Sequence, residues 1–113
     1  MKQVLINLIQ NAADSIEVDG VITLRARQDT RPLRERTVGV VILEVSDTGS
    51  GIPPDVQKRL FDPFFSTKKG GTGLGLSIAA QIVDNHLGKL EFHTEAGHGT
   101  TFAIVLPATP EHP

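Results

Sequence analysis

Asp47-Thr48-Gly49-Ser50-Gly51-Ile52-Pro53 puts an acidic residue where a buried side chain belongs. The preceding run, Val40 to Ser46, alternates as a strand, with Val41, Leu43 and Val45 on one face and Glu44 and Ser46 on the other. Asp47 continues the apolar phase. A carboxylate at the end of a buried face is costly unless donors meet it, and the chain next opens into a Gly-x-Gly turn where a ligand can approach closely. Taken alone, Asp-Thr-Gly reads better as an Asx-turn that ends a strand.

Working outward, Val21 to Arg27 and Val38 to Ser46 form two strands around a polar loop, Gln28 to Thr37, that carries Arg31, Arg34 and Arg36. Ahead of them, residues 2 to 16 read as a helix whose stripe is Leu5, Leu8, Ile9, Ala12 and Ile16. Asn7, Asn11 and Asp14 line its other side, and residues four apart on a helix are neighbours, so the two carboxamides can converge on one ligand or form a solvated face.

Past the central stretch, Pro53-Pro54-Asp55 starts a short helix over Val56 to Leu60, which runs into Phe61-Asp62-Pro63-Phe64-Phe65, a small hydrophobic plug. Ser66 to Gly75 holds four glycines in ten residues, a segment expected to be mobile until a ligand orders it. It leads directly into a helix, Leu76 to Leu87, with Leu76, Ala80, Val83 and Leu87 on its stripe and Gly88 placed to end it. Glycines at a helix N-terminus favour phosphate, because free N–H groups and the helix dipole both point at it. A hairpin follows, Lys89 to Thr94 and Thr100 to Leu106 about a turn at Glu95 to Gly99. Phe102, Ile104 and Leu106 form its buried phase, and Thr100 shares that phase as Asp47 does in its own strand. Pro107 is expected to stop the strand, leaving residues 108–113 as a tail.

The 113 residues suit one domain with a single core. With 11 basic and 13 acidic residues and a net charge of -2, the chain has no broad electrostatic footprint for nucleic acid or an anionic membrane. Cysteine is absent, so thiolate chemistry is excluded, which fits a reducing cytoplasm. No apolar run is long enough to span a bilayer. The glycine segment is not a Walker loop, for no Gly-Lys-Ser/Thr follows, nor a dinucleotide fingerprint, for no βαβ unit surrounds it.

Together these motifs describe a nucleotide site, and the chain resembles the catalytic ATP-binding domain of sensor histidine kinases over nearly its whole length. The resemblance rests on five boxes in order: Asn7-Leu8-Ile9-Gln10-Asn11-Ala12, Asp47 to Ile52, Phe61 to Phe65, Gly71-Thr72-Gly73-Leu74-Gly75-Leu76, and Gly97-His98-Gly99-Thr100. Phe64-Phe65-Ser66-Thr67-Lys68 is similar to the subgroup that includes nitrogen-regulation sensor kinases. The resemblance implies a two-layer α/β sandwich, a mostly antiparallel sheet with helices on one face. It implies a domain over 1–107, shortened at its N-terminus, and a nucleotide lined by Asp47, Gly49, Gly51, Ile52, Phe61, Thr67, Lys68, Gly71, Thr72, Gly73, Leu74, Gly75, Leu76 and Thr100. Asp47 would bind the adenine amine, Thr100 would support adenine through water, Asn11 would coordinate Mg²⁺, and Asn7 and Lys68 would act on the phosphates. Asp14 departs from the basic or aromatic residue frequent in relatives.

Gyrase-type and chaperone ATPases share this fold but carry a glutamate four residues before the Mg²⁺-binding asparagine. Here that residue is Asn7, and a carboxamide takes no proton at neutral pH, so the base for hydrolysis is missing. The resemblance therefore implies a kinase using Mg-ATP, with ADP as product. Its acceptor would be a histidine on a separate dimerisation domain, with a response regulator downstream and no nucleic-acid partner. His86, His93, His98 and His112 lack the helical acidic context of such an acceptor. A regulatory ATP-binding module and an anti-sigma-type serine kinase are the alternatives.

Overall fold

The computed structural model describes residues 2–16, 19–33, 35–63 and 75–108. Helix α1 spans Lys2–Ser15. Strands β1 (Ile22–Leu33) and β2 (Arg36–Asp47) follow, then the single turn of helix α2 (Pro54–Gln57), helix α3 (Gly75–Asn85), and strands β3 (Lys89–Glu95) and β4 (Gly99–Pro107). The strands form one antiparallel sheet in the order β1-β2-β4-β3. The helices pack on one face, which is the two-layer α/β sandwich the sequence led us to expect.

Val4, Leu8 and Ala12 recur every fourth residue and form the buried line of α1, so the true stripe is rotated toward Val4 from the predicted one. Leu5 and Ile9 flank it as partly buried neighbours. In α3 the buried residues are Ala79 and Val83, with Leu76 and Ile82 beside them. The predicted Ala80 and Leu87 lie off this line, and Leu87 is 53% exposed. Against these helices the sheet presents Val45, Phe102 and Ile104, fully or nearly buried, rimmed by Leu43, Leu90, Phe92 and Leu106.

The end of α3 differs from expectation. Leu87, not Gly88, takes the left-handed conformation, with φ 64. The Gly88 N–H bonds to the Val83 carbonyl at 3.0 Å and the Leu87 N–H to Asp84 at 2.9 Å, the paired closure of a Schellman motif. Gly88 is glycine for another reason: a Cβ there would run into the Val105 carbonyl oxygen and lie 2.8 Å from Leu106 Cδ2.

The predicted polar loop at 28–37 is a correction. Those residues continue the ladder, pairing as far as Leu33↔Arg36 across a two-residue turn in which Glu35 has φ 72. Polar composition concealed the strands because β1 is a sheet edge with most side chains exposed. The outer face of the sheet was equally hidden. Val40 and Ile42, opposite in phase to Asp47, form a second buried cluster with Ala103 and Val105. Arg31 on β1 makes a two-pronged ion pair with Glu91 on β3, at 2.9 and 3.0 Å, although β2 and β4 lie between those strands. In a flat sheet the two strands would stand about 14 Å apart. The hairpin must therefore coil over the outer face, and in doing so it shelters that cluster. Pro107 ends β4 as expected, and one further bond follows it, from the Ala108 N–H to the Gly39 carbonyl at 2.9 Å.

Candidate functional site

The ladder registers Ile22, Asp47, Thr100 and Thr94 as successive partners across β1, β2, β4 and β3, one row at one end of the sheet. Asp47 is 8% exposed and Thr100 5%, the two polar residues in the buried set among the described residues. Both expectations from strand phase hold. Asp47 Oδ1 accepts the Gly49 N–H at 2.8 Å, an Asx-type closure that uses part of the carboxylate's acceptor capacity.

The turn after Asp47 is locked to the β3–β4 turn. The Gly97 N–H bonds to the Ser50 carbonyl at 2.9 Å, and the Ile52 N–H bonds to Thr94 Oγ1 at 2.9 Å. Gln57 Nε2 holds the Ile52 carbonyl at 2.9 Å, tying in α2. Two glycines make the contact possible. Gly51, at φ 86, sits with its missing Cβ 2.6 Å from the Glu95 carbonyl oxygen, and Gly99, at φ 118, lies against the carbonyl of Asp47 itself. A Cβ on Gly49 would likewise strike Ser15 in the last turn of α1. The sequence suggested a turn kept open for a ligand; the need for glycine comes first from the chain's own backbone.

Walls of mixed character flank this end. Ile52 and Phe61 are partly buried against the core, and the Phe61, Phe92 and Phe102 rings succeed one another at centroid spacings of 5.9 Å. Of the predicted plug, Phe61 packs against the core beside buried Leu60, while Phe64 and Phe65 lie outside the described residues. The helix start expected at Pro53-Pro54-Asp55 holds, with Pro54 in the first turn, but α2 ends at Gln57, short of the expected Leu60.

At the other end of the site, Asn7 Nδ2 donates to the carbonyl of Gly75 at 3.1 Å, joining α1 to the first residue of α3. Gln3 Nε2 in turn donates to Asn7 Oδ1 at 3.0 Å. Asn11, half-buried, lies one turn further along α1 toward Ser15. From Ser15, against Gly49, to Asn7, against Gly75, α1 runs about 12 Å, comparable with the distance from a purine base to the far end of its triphosphate. Leu76 packs into the core. Thr67, Lys68, Gly71, Thr72, Gly73 and Leu74 lie outside the described residues.

The residues fit the group the resemblance implies. A buried carboxylate beside apolar walls suits an exocyclic amine, and carboxamide oxygens are hard donors of the kind Mg²⁺ takes. Thr94 was missed from sequence, although the signal was there: Leu90, Phe92 and Thr94 share one strand phase, so Thr94 is a third polar residue ending a buried row.

A model of the histidine kinase-, DNA gyrase B- and HSP90-like ATPase family matches residues 1–110. The chain is 44% identical over 110 residues to the sensory histidine kinase/phosphatase NtrB of Salmonella typhimurium, covering 95% of this chain and 31% of that one. The nitrogen-regulation likeness read from Phe64 to Lys68 thus extends along the chain, which spans about a third of that relative. Among solved structures, the mycobacterial sensor histidine kinase MprB superposes with a TM-score of 0.78 at 32% identity, covering 96% of this chain and 72% of that one. Full-length ShkA in complex with AMPPNP gives 0.77 at 31% identity, over 93% of this chain and 20% of that one. By its sequence and its fold, the chain belongs to the histidine kinase-, DNA gyrase B- and HSP90-like ATPase family, as an ATP-binding catalytic domain of the sensor-histidine-kinase type.

Proposed function

We propose that the chain binds Mg-ATP along α1, adenine at Asp47 and Thr100 and phosphates toward Asn7 and the start of α3, and donates the γ-phosphate to a histidine on a separate dimerisation domain of a cytoplasmic two-component kinase. A response regulator would then receive the phosphoryl group. The observation that carries this reading is the buried Asp47 carboxylate, which shares its row with hydroxyls and is braced by two interlocked turns. The bond from the Gly49 N–H uses only part of the carboxylate's acceptor capacity and leaves the rest for a ligand. Asp47 accepts from the adenine amine, while Ile52 and Phe61 cover the ring.

Asn7 orients groups near the phosphates but takes no proton, which favours transfer over hydrolysis. Asn11 would hold Mg²⁺, whose charge offsets that of the phosphates, and Lys68 with the backbone from Gly71 to Gly75 would complete the enclosure. The test is incubation with γ-labelled ATP. The chain alone should remain unlabelled, and addition of a histidine-bearing dimerisation domain should give an acid-labile phosphohistidine on the added domain. Strong self-labelling, or an acid-stable product on serine, would overturn the reading.

A further inference from the structure

Thr94 Oγ1 has three polar neighbours: it accepts the Ile52 N–H at 2.9 Å, and stands 3.2 Å from the Gly99 carbonyl oxygen and 2.9 Å from Thr100 Oγ1. A hydroxyl has one proton to give and two lone pairs to receive with. If Thr94 gives its proton to the Gly99 carbonyl, its second lone pair takes the Thr100 proton, and all three contacts become hydrogen bonds. If it gives its proton to Thr100, the Gly99 contact is lost and one lone pair stands empty. Burial favours the arrangement with more bonds.

We infer that Thr94 is a specificity-determining residue: by drawing the Thr100 proton away, it leaves Thr100 as an acceptor toward the site, matched to the acceptor Asp47 in the neighbouring position of the row. Two acceptors side by side select a ligand edge that donates, such as a purine 6-amine or a water held by it. They disfavour a purine with a carbonyl there. The same oxygen anchors Ile52, so Thr94 fixes both the wall and the polarity of one edge of the site. This rests on the proposed adenine reading of Asp47 and Thr100.

The test is calorimetric titration of ATP and of inosine triphosphate, which carries a carbonyl in place of the amine, into the parent chain, Thr94→Val, Thr94→Ser and Asp47→Asn, with a melting curve for each. Thr94→Val keeps the shape and removes the hydroxyl, so the preference for ATP should shrink by about three- to tenfold, the worth of a hydrogen bond of this kind. Thr94→Ser should restore it. A purely structural role for Thr94 would lower the melting temperature and weaken both nucleotides alike, leaving the ratio unchanged, and that result would overturn the inference. Should Asp47→Asn leave the ATP preference intact, the adenine reading itself fails. Should Asp47→Asn abolish the preference while Thr94→Val retains it, only the role of Thr94 fails.

Discussion

The two ends of the sheet are built differently. At the Asp47 end, a carboxylate and a hydroxyl are buried, backbones press together at glycine positions, and bonds between residues far apart in sequence join the two turns. At the opposite end, β1 and β2 extend as an exposed hairpin held by the ladder and by ion pairs, with its turn closed by Glu35 in a left-handed conformation. Buried polar groups are costly and contribute little net stability, whereas exposed pairs are cheap and nearly replaceable. The first end is arranged to meet something; the second keeps the sheet's shape and shelters Val40 and Ile42. Substitutions should therefore affect ligand binding at one end and only stability at the other.

The largest effect is expected at Gly99→Ala. The new Cβ would meet the Asp47 backbone at a φ that suits glycine, so stability should fall by on the order of 3 kcal/mol and nucleotide affinity should fall with it. Melting curves with and without ATP measure both, and near-parental values would dissolve the interlock. Next comes Asp47→Asn. Adenine affinity should drop at least about tenfold, because the acceptor is weakened and an amide N–H can face an amine. The empty protein should melt near the parent temperature, since Asp47 has no apolar packing to lose. A large early melt without a binding defect would make Asp47 a turn residue and erase the contrast between the ends.

At the far end the sign reverses. Leu87→Gly relieves a left-handed leucine that is half exposed, and should stabilise the domain by about 0.5 to 1 kcal/mol without changing ATP affinity. Denaturant midpoints resolve a change of that size. Arg31→Ala removes the pair with Glu91, in which both side chains are about a third exposed, and should cost no more than about 1 kcal/mol, less in high salt. Melting in low and high salt checks this; any loss of nucleotide binding would mean that the hairpin reaches the site. The smallest effect concerns Asp29, whose carboxyl is held below its usual range first by the Thr30 N–H and then by Arg27. Its contribution is present above the ordinary carboxylate value and is lost as pH falls through the lowered one. Since the side chain is exposed, Asp29→Asn should leave the melting temperature at neutral pH unchanged within error.

Strand phase marked much of the candidate site. Asp47 and Thr100 were legible because each ends an apolar alternation with a polar side chain, and the same rule applied to Leu90 and Phe92 would have found Thr94. Asn7 was legible as a position, but its bond to Gly75 was not, because the partner lies 68 residues away. The glycines at 51 and 99 were visible as turn residues, though only the packed turns show that they accommodate carbonyl groups of the chain itself.

What the sequence determined by itself is whatever repeats locally: helical spacing in α1, alternation in β2 and β4, and the order of the boxes, which together select the family and the α/β sandwich. Tertiary structure alone decided the rest. Polar residues 28–37 became strands because β1 and β2 pair along their whole length and a sheet edge tolerates exposed side chains. Val40 and Ile42 are buried because the coiled hairpin reaches Glu91 across two strands. Gly88 has room for no side chain because it is pressed against the Val105 carbonyl, and Leu87 bears the left-handed bend of the helix closure. At Glu91 and Val105 the deciding contact joins residues distant in sequence, where local pattern carries no information; at 28–37 the pairing is local and exposure at the sheet edge hides it.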